Sequence, residues 1–329
     1  MAQPTPWNRA GGEDPDGCLH SIGVDGAWRI AGLDGVVSFP RTGLALRRAD
    51  LGREFSPDEA TRLRALLRDA ASRGDPVVDR YATAAAVYRS LGAGLSTAEV
   101  GDLYLRAAWA ARGMVAIPGA ESFRPQSVAD GFARLKELER QFDTEQTRLH
   151  GVDRILEALA HARRDLDRLR PSDPAGRLAA EELRYALFAV EQEALRLKAE
   201  LPPEVQGPAP AERFVLLAWA AQRMGDRQAR DRWLRRVSGD PGERLKPKLE
   251  QLEQAFALEE ALLAEAGALY AQALQEPLPP AEEARVACLL GETLRRRGQD
   301  GAPAYARAQR VAPESPGGQR ASQLLAAKR

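Results

Sequence analysis

Residues 96–112, STAEVGDLYLRAAWAAR, decide the fold class of this chain. Ser96 and Glu99 form a capping box, in which the Ser hydroxyl accepts from an orphan amide and Glu99 reaches back to the cap amide. Apolar residues then recur at intervals of three and four, as one buried helical face requires. They are Val100, Leu103, Tyr104, Ala107, Ala108 and Ala111. The segment predicts an amphipathic helix.

The flanking sequence predicts further helices. Residues 77–91 carry apolar side chains at the same spacing, so residues 76–114 predict two antiparallel helices joined by the Gly92-Ala93-Gly94 turn. Ser56 and Glu59 repeat the capping box, with Pro57 suited to the first helical position. We expect a helix from Pro57 to about Arg73.

The middle, residues 128–201, alternates Arg and Glu with Leu at helical spacing and predicts two or three long solvated helices. We expect breaks near His150-Gly151 and at residues 171–174. A packing seam is indicated by apolar residues that step by three or four, namely Leu183, Leu187, Val190, Ala194 and Leu197. Residues 202–210, rich in proline, read as a linker.

Two later segments share the order of features found in a tetratricopeptide (TPR) unit. In residues 214–241 and 284–313 an apolar helix meets a turn with glycine, and a second helix with an aromatic residue ends at proline. We interpret residues 211–329 as degenerate TPR-like repeats. The predicted fold is mainly α, with TPR-like helical hairpins stacked as an α-solenoid.

The amino-terminal part differs in composition from the rest. Residues 1–16 predict a flexible arm, because their many Pro and Gly and few apolar residues cannot offset the entropy of ordering. Residues 17–55 alternate short apolar pieces with glycines and predict a small β-rich module that docks on the first helices. The hairpins with the long middle helices then occupy residues 56–201.

Composition argues against several functions. Lys+Arg and Asp+Glu both number 47, so the zero net charge lacks the field that draws proteins to nucleic acid. No apolar run of about 18 residues is present, so no membrane insertion is expected. Without a secretory pattern, and with two widely spaced cysteines, the chain is expected to be soluble and cytoplasmic.

Candidate chemical sites are few. Cys18 and His20 could supply half a zinc site, but a structural site needs four ligands, and the other histidines, His150 and His161, lie far along the chain. The acidic segment 11–17 lacks the ligand pattern of an EF-hand and predicts a turn. With no nucleotide-binding or catalytic motif, we expect no cofactor and no catalytic residue.

Stacked helical hairpins leave a concave surface lined by the first helix of each unit, which binds peptides or helices. In the last unit Arg285, Glu292 and Arg295 are predicted to line this groove and contact a partner. The alternative is that they are ordinary solvated charges.

Residues 11–18, 36–45 (VVSFPRTGLA) and 101–109 (GDLYLRAAW) together resemble a bacterial family of uncharacterised domains. Its members have an amino-terminal C-P-x-C-G-[YF]-A knuckle followed by TPR-like helices. Phe39 and Thr42 stand where the family has its knuckle cysteines and cannot bind zinc, so packing of Phe39 would have to hold the turn. The resemblance implies fold and a bacterial cytoplasmic setting.

These observations favour a non-enzymatic adaptor or regulator that binds one or more proteins, for example a signalling component. Two alternatives stay open. The first is a metal-binding enzyme or sensor that uses Cys18, His20 and nearby acids in the amino-terminal module. The second is nucleic-acid binding, which would need a basic stripe that the balanced charge does not suggest.

Overall fold

The structure is a computed structural model. It describes residues 12–13, 19–22, 28–30, 35–39, 42–68, 75–92, 94–115, 117, 123, 128–169, 171, 173–201, 211–238 and 242–327. Three of the features predicted above lie outside these residues: the linker 202–210, Cys18 and most of the amino-terminal segment 1–16.

The described part of the chain is mainly helical, as predicted. Five short strands precede the helices: Gly12–Glu13 (β1), Leu19–Ile22 (β2), Trp28–Ile30 (β3), Val36–Ser38 (β4) and Ala45–Arg47 (β5). The helices are Pro57–Arg68 (α1), Pro76–Leu91 (α2), Thr97–Arg112 (α3), Val128–Arg168 (α4), Pro174–Ala199 (α5), Ala211–Met224 (α6), Arg227–Ser238 (α7), Gly242–Ala273 (α8), Pro280–Arg296 (α9), Ala302–Val311 (α10) and Pro316–Ala327 (α11).

The strands form two antiparallel sheets. One has the order β1-β2-β3, with Gly12 opposite His20 and His20 opposite Ile30. β1 thus lies within the segment for which a flexible arm is predicted. In the second sheet β4 pairs with β5, and Val37 faces Leu46.

The β4–β5 hairpin packs against α2, as expected for the described part of the module, and contributes Val36, Ala45 and Leu46 to a core. Its turn is closed by backbone bonds from the amides of Thr42 and Gly43 to the carbonyl of Phe39. The Phe39 side chain itself is exposed. Packing of Phe39 therefore does not hold this turn, because the backbone hydrogen bonds do so.

The predicted helix signals of the first hairpin are confirmed. Ser96 accepts from the Glu99 amide at 3.2 Å, and the Glu99 carboxylate accepts from the Ser96 amide at 2.8 Å. α2 starts at an Asp75 cap and ends at Gly92, whose φ of 63° lies in the left-handed region that glycine tolerates. α1 starts at Pro57 as predicted, and its expected end at Arg73 lies outside the described residues.

The expected break near His150-Gly151 is wrong, since α4 is continuous from Val128 to Arg168. A glycine inside a helix costs about 1 kcal/mol relative to alanine. Leu149 and Val152 are buried beside Gly151, and burying two such side chains stabilises by more than that cost. The second expected break is confirmed, because α4 ends before residue 171 and α5 begins at Pro174 after an Asp173 cap.

Two hydrophobic cores share one helix. The first core is built from α1, α2, α3, the carboxyl-terminal half of α8, and α9 to α11. The second holds Phe123, Trp219 and Trp233, with side chains from α4, α6, α7 and the amino-terminal half of α8. α8 packs most extensively on α3 and also contacts α6 and α9, so it joins the two cores.

The helices α4 and α5 form an arm, which we define as residues 149–201. Before Leu149, α4 packs on α6, and Leu135 and Phe142 belong to the second core. Among the described elements, α5 packs extensively only against α4. From Leu149 to Arg168 the arm is about 30 Å long at 1.5 Å per residue.

Candidate protein-interaction surface

The three residues predicted to bind a partner all lie on α9. Glu292 is buried, and its carboxylate accepts from Arg295 at 2.8 and 2.9 Å and from the Tyr305 hydroxyl. Arg295 also donates to the Gly225 carbonyl at 2.9 Å, which links α9 to the α6–α7 turn. Glu292 and Arg295 are therefore brought together as an internal pair.

Arg285 lies two turns earlier and binds different carboxylates. It donates to Asp102 of α3 at 3.0 Å and to Glu282 at 2.7 Å, and it stays partly exposed. The hydrogen bond with Glu282 is the largest cause that raises the pKa of this guanidinium, and Asp102 adds to it against desolvation. Nothing in the structure tests whether these three residues contact a partner, which stays a prediction.

A second buried charge lies close to Glu292, at the junction of the two cores. Glu259 of α8 has no exposed surface and accepts from Arg112 at 2.7 Å and from the Gln222 amide at 2.7 Å. Arg296 donates to the backbone carbonyls of Gln222 and Arg223 at 2.9 and 2.7 Å. This network ties α3, α6, α8 and α9 together.

The pKa of Glu292 is shifted away from the range of a catalytic acid or base. Burial raises the pKa of Glu292, but Arg295, Arg296 and the Tyr305 hydroxyl outweigh burial and leave the pKa below its ordinary value. A general acid or base at neutral pH needs a carboxyl pKa shifted towards 7. The shift of Glu292 goes the other way, so the carboxylate is fixed in its charged form.

Cys288 is buried in the first core and carries a free thiol. Burial, with the charge of Glu292, raises its pKa to about 12. The nucleophile is the thiolate, which forms readily only when the pKa is low. Cys288 therefore behaves as a small apolar core residue.

The metal hypothesis falls mostly outside the described residues. Cys18 is not described, and of His20 the structure describes only the backbone in β2. His150 and His161 are exposed on α4. Among the side chains that the structure describes, no three of the His, Cys, Asp and Glu type gather into a group that could hold a metal ion.

Exposed apolar surface is concentrated on the arm. Of eleven large hydrophobic side chains exposed in the described part of the chain, nine lie between residues 155 and 197. They are Ile155, Leu169, Leu178, Leu183, Tyr185, Phe188, Val190, Leu195 and Leu197. Contiguous exposed apolar surface on a folded protein marks an interaction site.

The helix α5 is apolar on three sides. Ala180 and Ala194 are buried against α4, with Leu187 half-buried between them. On one flank stand Leu183, Val190 and Leu197, and on the other Tyr185, Phe188 and Leu195, which we call the aromatic row. A helix with apolar residues on several sides needs more than one packing partner, and α4 supplies one.

The sequence reasoning identified only part of this surface. The predicted seam from Leu183 to Leu197 combines residues that contact α4 with residues that α4 leaves exposed. Tyr185, Phe188 and Leu195 were missed because they lie outside that seam. The sequence could have indicated these three residues, because a helix with apolar residues around most of its circumference is expected to pack against a second element or protein.

None of the described helices combines the length and the apolar character needed to cross a bilayer. The similarity of residues 11–18, 36–45 and 101–109 to a bacterial family stays a prediction. The chain as a whole matches no protein-family model, no curated protein and no solved structure.

Proposed function

We propose that this chain is a non-enzymatic adaptor or regulator, and that the arm is its main docking surface for other proteins. The observation that carries the proposal is the concentration of exposed large hydrophobic side chains on α4 and α5. Tyr185 alone has 77% of its surface exposed. Aromatic side chains of this kind dominate the binding energy of many protein interfaces.

The hairpins outside the arm support a TPR-like arrangement as part of the proposal. α2 with α3, α6 with α7, and α9 with α10 are consecutive helices that pack on each other. At Gly291 the helices α9 and α10 approach so closely that a Cβ atom would lie 2.5 Å from the Tyr305 ring. Small residues at such crossings are typical of helical repeats. The body would then hold the arm and add a groove near Arg285.

The proposal keeps the expectation of a cytoplasmic setting, which the free, buried thiol of Cys288 suits. The partner would present an apolar helix or strip to the aromatic row. Because the row carries one aromatic hydroxyl and is otherwise apolar, we expect binding that depends little on salt.

The test is affinity purification of the tagged chain from its native cells, with partners identified by mass spectrometry. The arm variant combines Tyr185→Ser and Phe188→Ser. The matched control combines Phe39→Ser and Leu51→Ser, because among the described residues these are the two exposed large hydrophobic ones that lie outside the arm. We expect the arm variant to lose at least one partner that the wild type and the control retain.

An identical set of partners for all three proteins would contradict docking through the aromatic row. A chain that captures no stable partner and shows hydrolase or transferase activity would overturn the adaptor role altogether. Circular dichroism should report equal helix content for the three proteins, so that loss of folding is not mistaken for loss of binding.

A further inference from the structure

The arm carries two exposed rows of apolar residues with the same repeat. The first row has Ile155 and Ala162 on α4 and Leu169 directly after its end, and the second has Leu183, Val190 and Leu197 on α5. Within each row the residues stand seven apart, which is the repeat of a helical seam in bundles and coiled coils. All six side chains are exposed. We call these six residues the heptad strip.

Ion pairs within the arm fix which residues lie level with each other. Lys198 binds Asp153 at 2.8 Å, Glu191 binds Arg163 at 2.6 Å, and Arg184 lies 3.7 Å from Asp167.

From the first and last of these pairs, two residues forward along α4 and one residue back along α5 lead to Ile155 beside Leu197 and to Leu169 beside Leu183, so that each pair is level to within one residue. The middle pair of the strip is then Ala162 with Val190.

The two rows lie on the same side of the arm. Each follows a buried or half-buried row by three residues: on α4 after Val152, Leu159 and Leu166, and on α5 after Ala180, Leu187 and Ala194. Three residues rotate a position by about 300° around the helix axis, which places it about 60° to one side of the row from which it started. The two helices run in opposite directions and face each other, so these two rotations lead to the same side of the arm. The rows thus form one continuous strip about 21 Å long.

This strip has the geometry of an unfilled half of a four-helix bundle. In such bundles two helical hairpins pack through inward-facing rows of apolar residues. The first seam of the arm is closed between α4 and α5, while the second is open.

The charged residues beside the strip indicate which kind of protein binds it. Along the outer edge of α5 lie the exposed residues Glu182, Glu193 and Glu200. Along the outer edge of α4 lie the exposed residues Arg154, His161 and Arg168, together with Asp165, which is paired with Arg168. A two-fold axis parallel to the arm places α4 of one copy beside α5 of the other. This rotation does not change the position of any residue along the length of the arm. Each basic residue or histidine is then level with a glutamate of the second copy: Arg154 with Glu200, His161 with Glu193, and Arg168 with Glu182.

The opposite arrangement, with α4 beside the α4 of the second copy, would bring like charges together and is disfavoured. Glu193 and Glu200 already share Arg196, and Arg168 binds Asp165. Arg154 and Glu182 make no hydrogen bond or ion pair among the described residues, so they are free to pair between copies.

We propose that the heptad strip binds the same strip of a second copy of this chain. The two arms then form a four-helix bundle whose two-fold axis runs parallel to the helices. The inference rests on the proposed role of the arm in docking and assigns one of its two flanks to self-association. The aromatic row on the other flank stays open to a different protein.

The first test is the mass of the full-length purified chain in solution, measured by sedimentation over a range of concentrations. We expect twice the chain mass of 35.8 kDa. Val190→Asp combined with Leu197→Asp buries unpaired charge in the strip, so we expect dimerisation to weaken by more than about 100-fold. The matched control, Tyr185→Asp with Phe188→Asp, changes the other flank of the same helix and should leave the dimer intact.

The second test exchanges charges. A variant with Glu182→Arg and Glu200→Arg, and a variant with Arg154→Glu and Arg168→Glu, should each dimerise more weakly than the wild type at low salt. Mixed together they should form a heterodimer, because every edge then meets the opposite charge. Failure of the mixture to associate better than either variant alone overturns the arrangement.

A wild-type chain that is monomeric up to about 100 µM overturns self-association, because a dimer with a dissociation constant in the micromolar range would be the main species at that concentration. A dimer that survives Val190→Asp with Leu197→Asp also overturns it. These results leave the proposed function intact if the aromatic-row variant still loses a partner in cells. A monomer whose Val190 and Leu197 variant loses a cellular partner assigns the strip to another protein and contradicts the inference.

Discussion

Glu292 is a buried residue whose charge stabilises the folded chain. Its pKa lies below the ordinary value of 4.5 because the guanidinium groups of Arg295 and Arg296 outweigh desolvation. The folded state therefore binds a proton at this site only at lower pH than the unfolded state does. The stabilisation is fully present above about pH 4.5 and is lost as the pH falls through the folded-state pKa.

We expect Glu292→Gln to lower the free energy of unfolding by about 3 kcal/mol at pH 7, because Arg295 and Arg296 lose a buried counter-charge. Below pH 4.5 the gap between wild type and variant should narrow, since the wild-type carboxylate then becomes protonated. Urea unfolding at several pH values between 3 and 7 measures this gap. A gap that stays constant over this range would contradict the stated role of the charge. Glu314→Gln, at an exposed position after α10, serves as the control.

At the scale of single residues, little of the site could be predicted from the sequence. Glu292 and Arg295 stand three apart on one helix, and that spacing suits a solvated pair as well as a buried one. Their burial depends on Tyr305 of the next helix, α10, and on Gly225 of the α6–α7 hairpin. Spacing along one helix does not contain that information.

At the scale of single elements, local rules predicted most of the helices. Capping boxes at Ser56 and Ser96 and the left-handed glycine at residue 92 act within one turn of chain, so the sequence alone reveals them. Gly151 misled the same reasoning. Its cost is local, but the packing that outweighs it is not, since Leu149 is buried against Leu201, more than 50 positions further along the chain.

Two glycine substitutions test the helices directly. Gly151→Ala meets open space inside α4, so we expect it to stabilise the chain by about 0.5–1 kcal/mol. Gly291→Ala forces a methyl group against the Tyr305 ring, and we expect a loss of about 1–3 kcal/mol from overpacking. Urea midpoints of the two single variants measure both effects. If Gly151→Ala destabilised the chain, the continuity of α4 at this point would be refuted.

At the scale of the whole molecule, α8 and the buried network join two cores that lie far apart in sequence. Glu259 accepts from α3 and α6 and lies where the two cores meet along α8. Such contacts, between residues more than 30 positions apart, could not be derived from periodicity. The sequence predicted helical pairs but not the order in which they pack.

We expect Glu259→Gln to loosen the junction at a cost of about 3–5 kcal/mol, because it removes the buried carboxylate to which Arg112 and Gln222 donate. Hydrogen exchange measured by mass spectrometry should show faster exchange in α6 and α7, which form the smaller core, than in α2 and α3. Glu265→Gln lies on the same helix in an exposed pair with Arg89 and should change exchange little. Equal acceleration in both cores would show that they open as one unit.

The seven-residue repeat of the arm sets how its length can change. Removing seven residues from α4 and seven from α5 at the same level would shorten the arm by two turns, about 10 Å, and keep every remaining layer in register. The other helices have no such freedom, since they pack through position-specific contacts such as that of Gly291 with Tyr305. The length of the arm can thus change in steps of seven residues per helix among descendants of this chain, while the other helices stay constant.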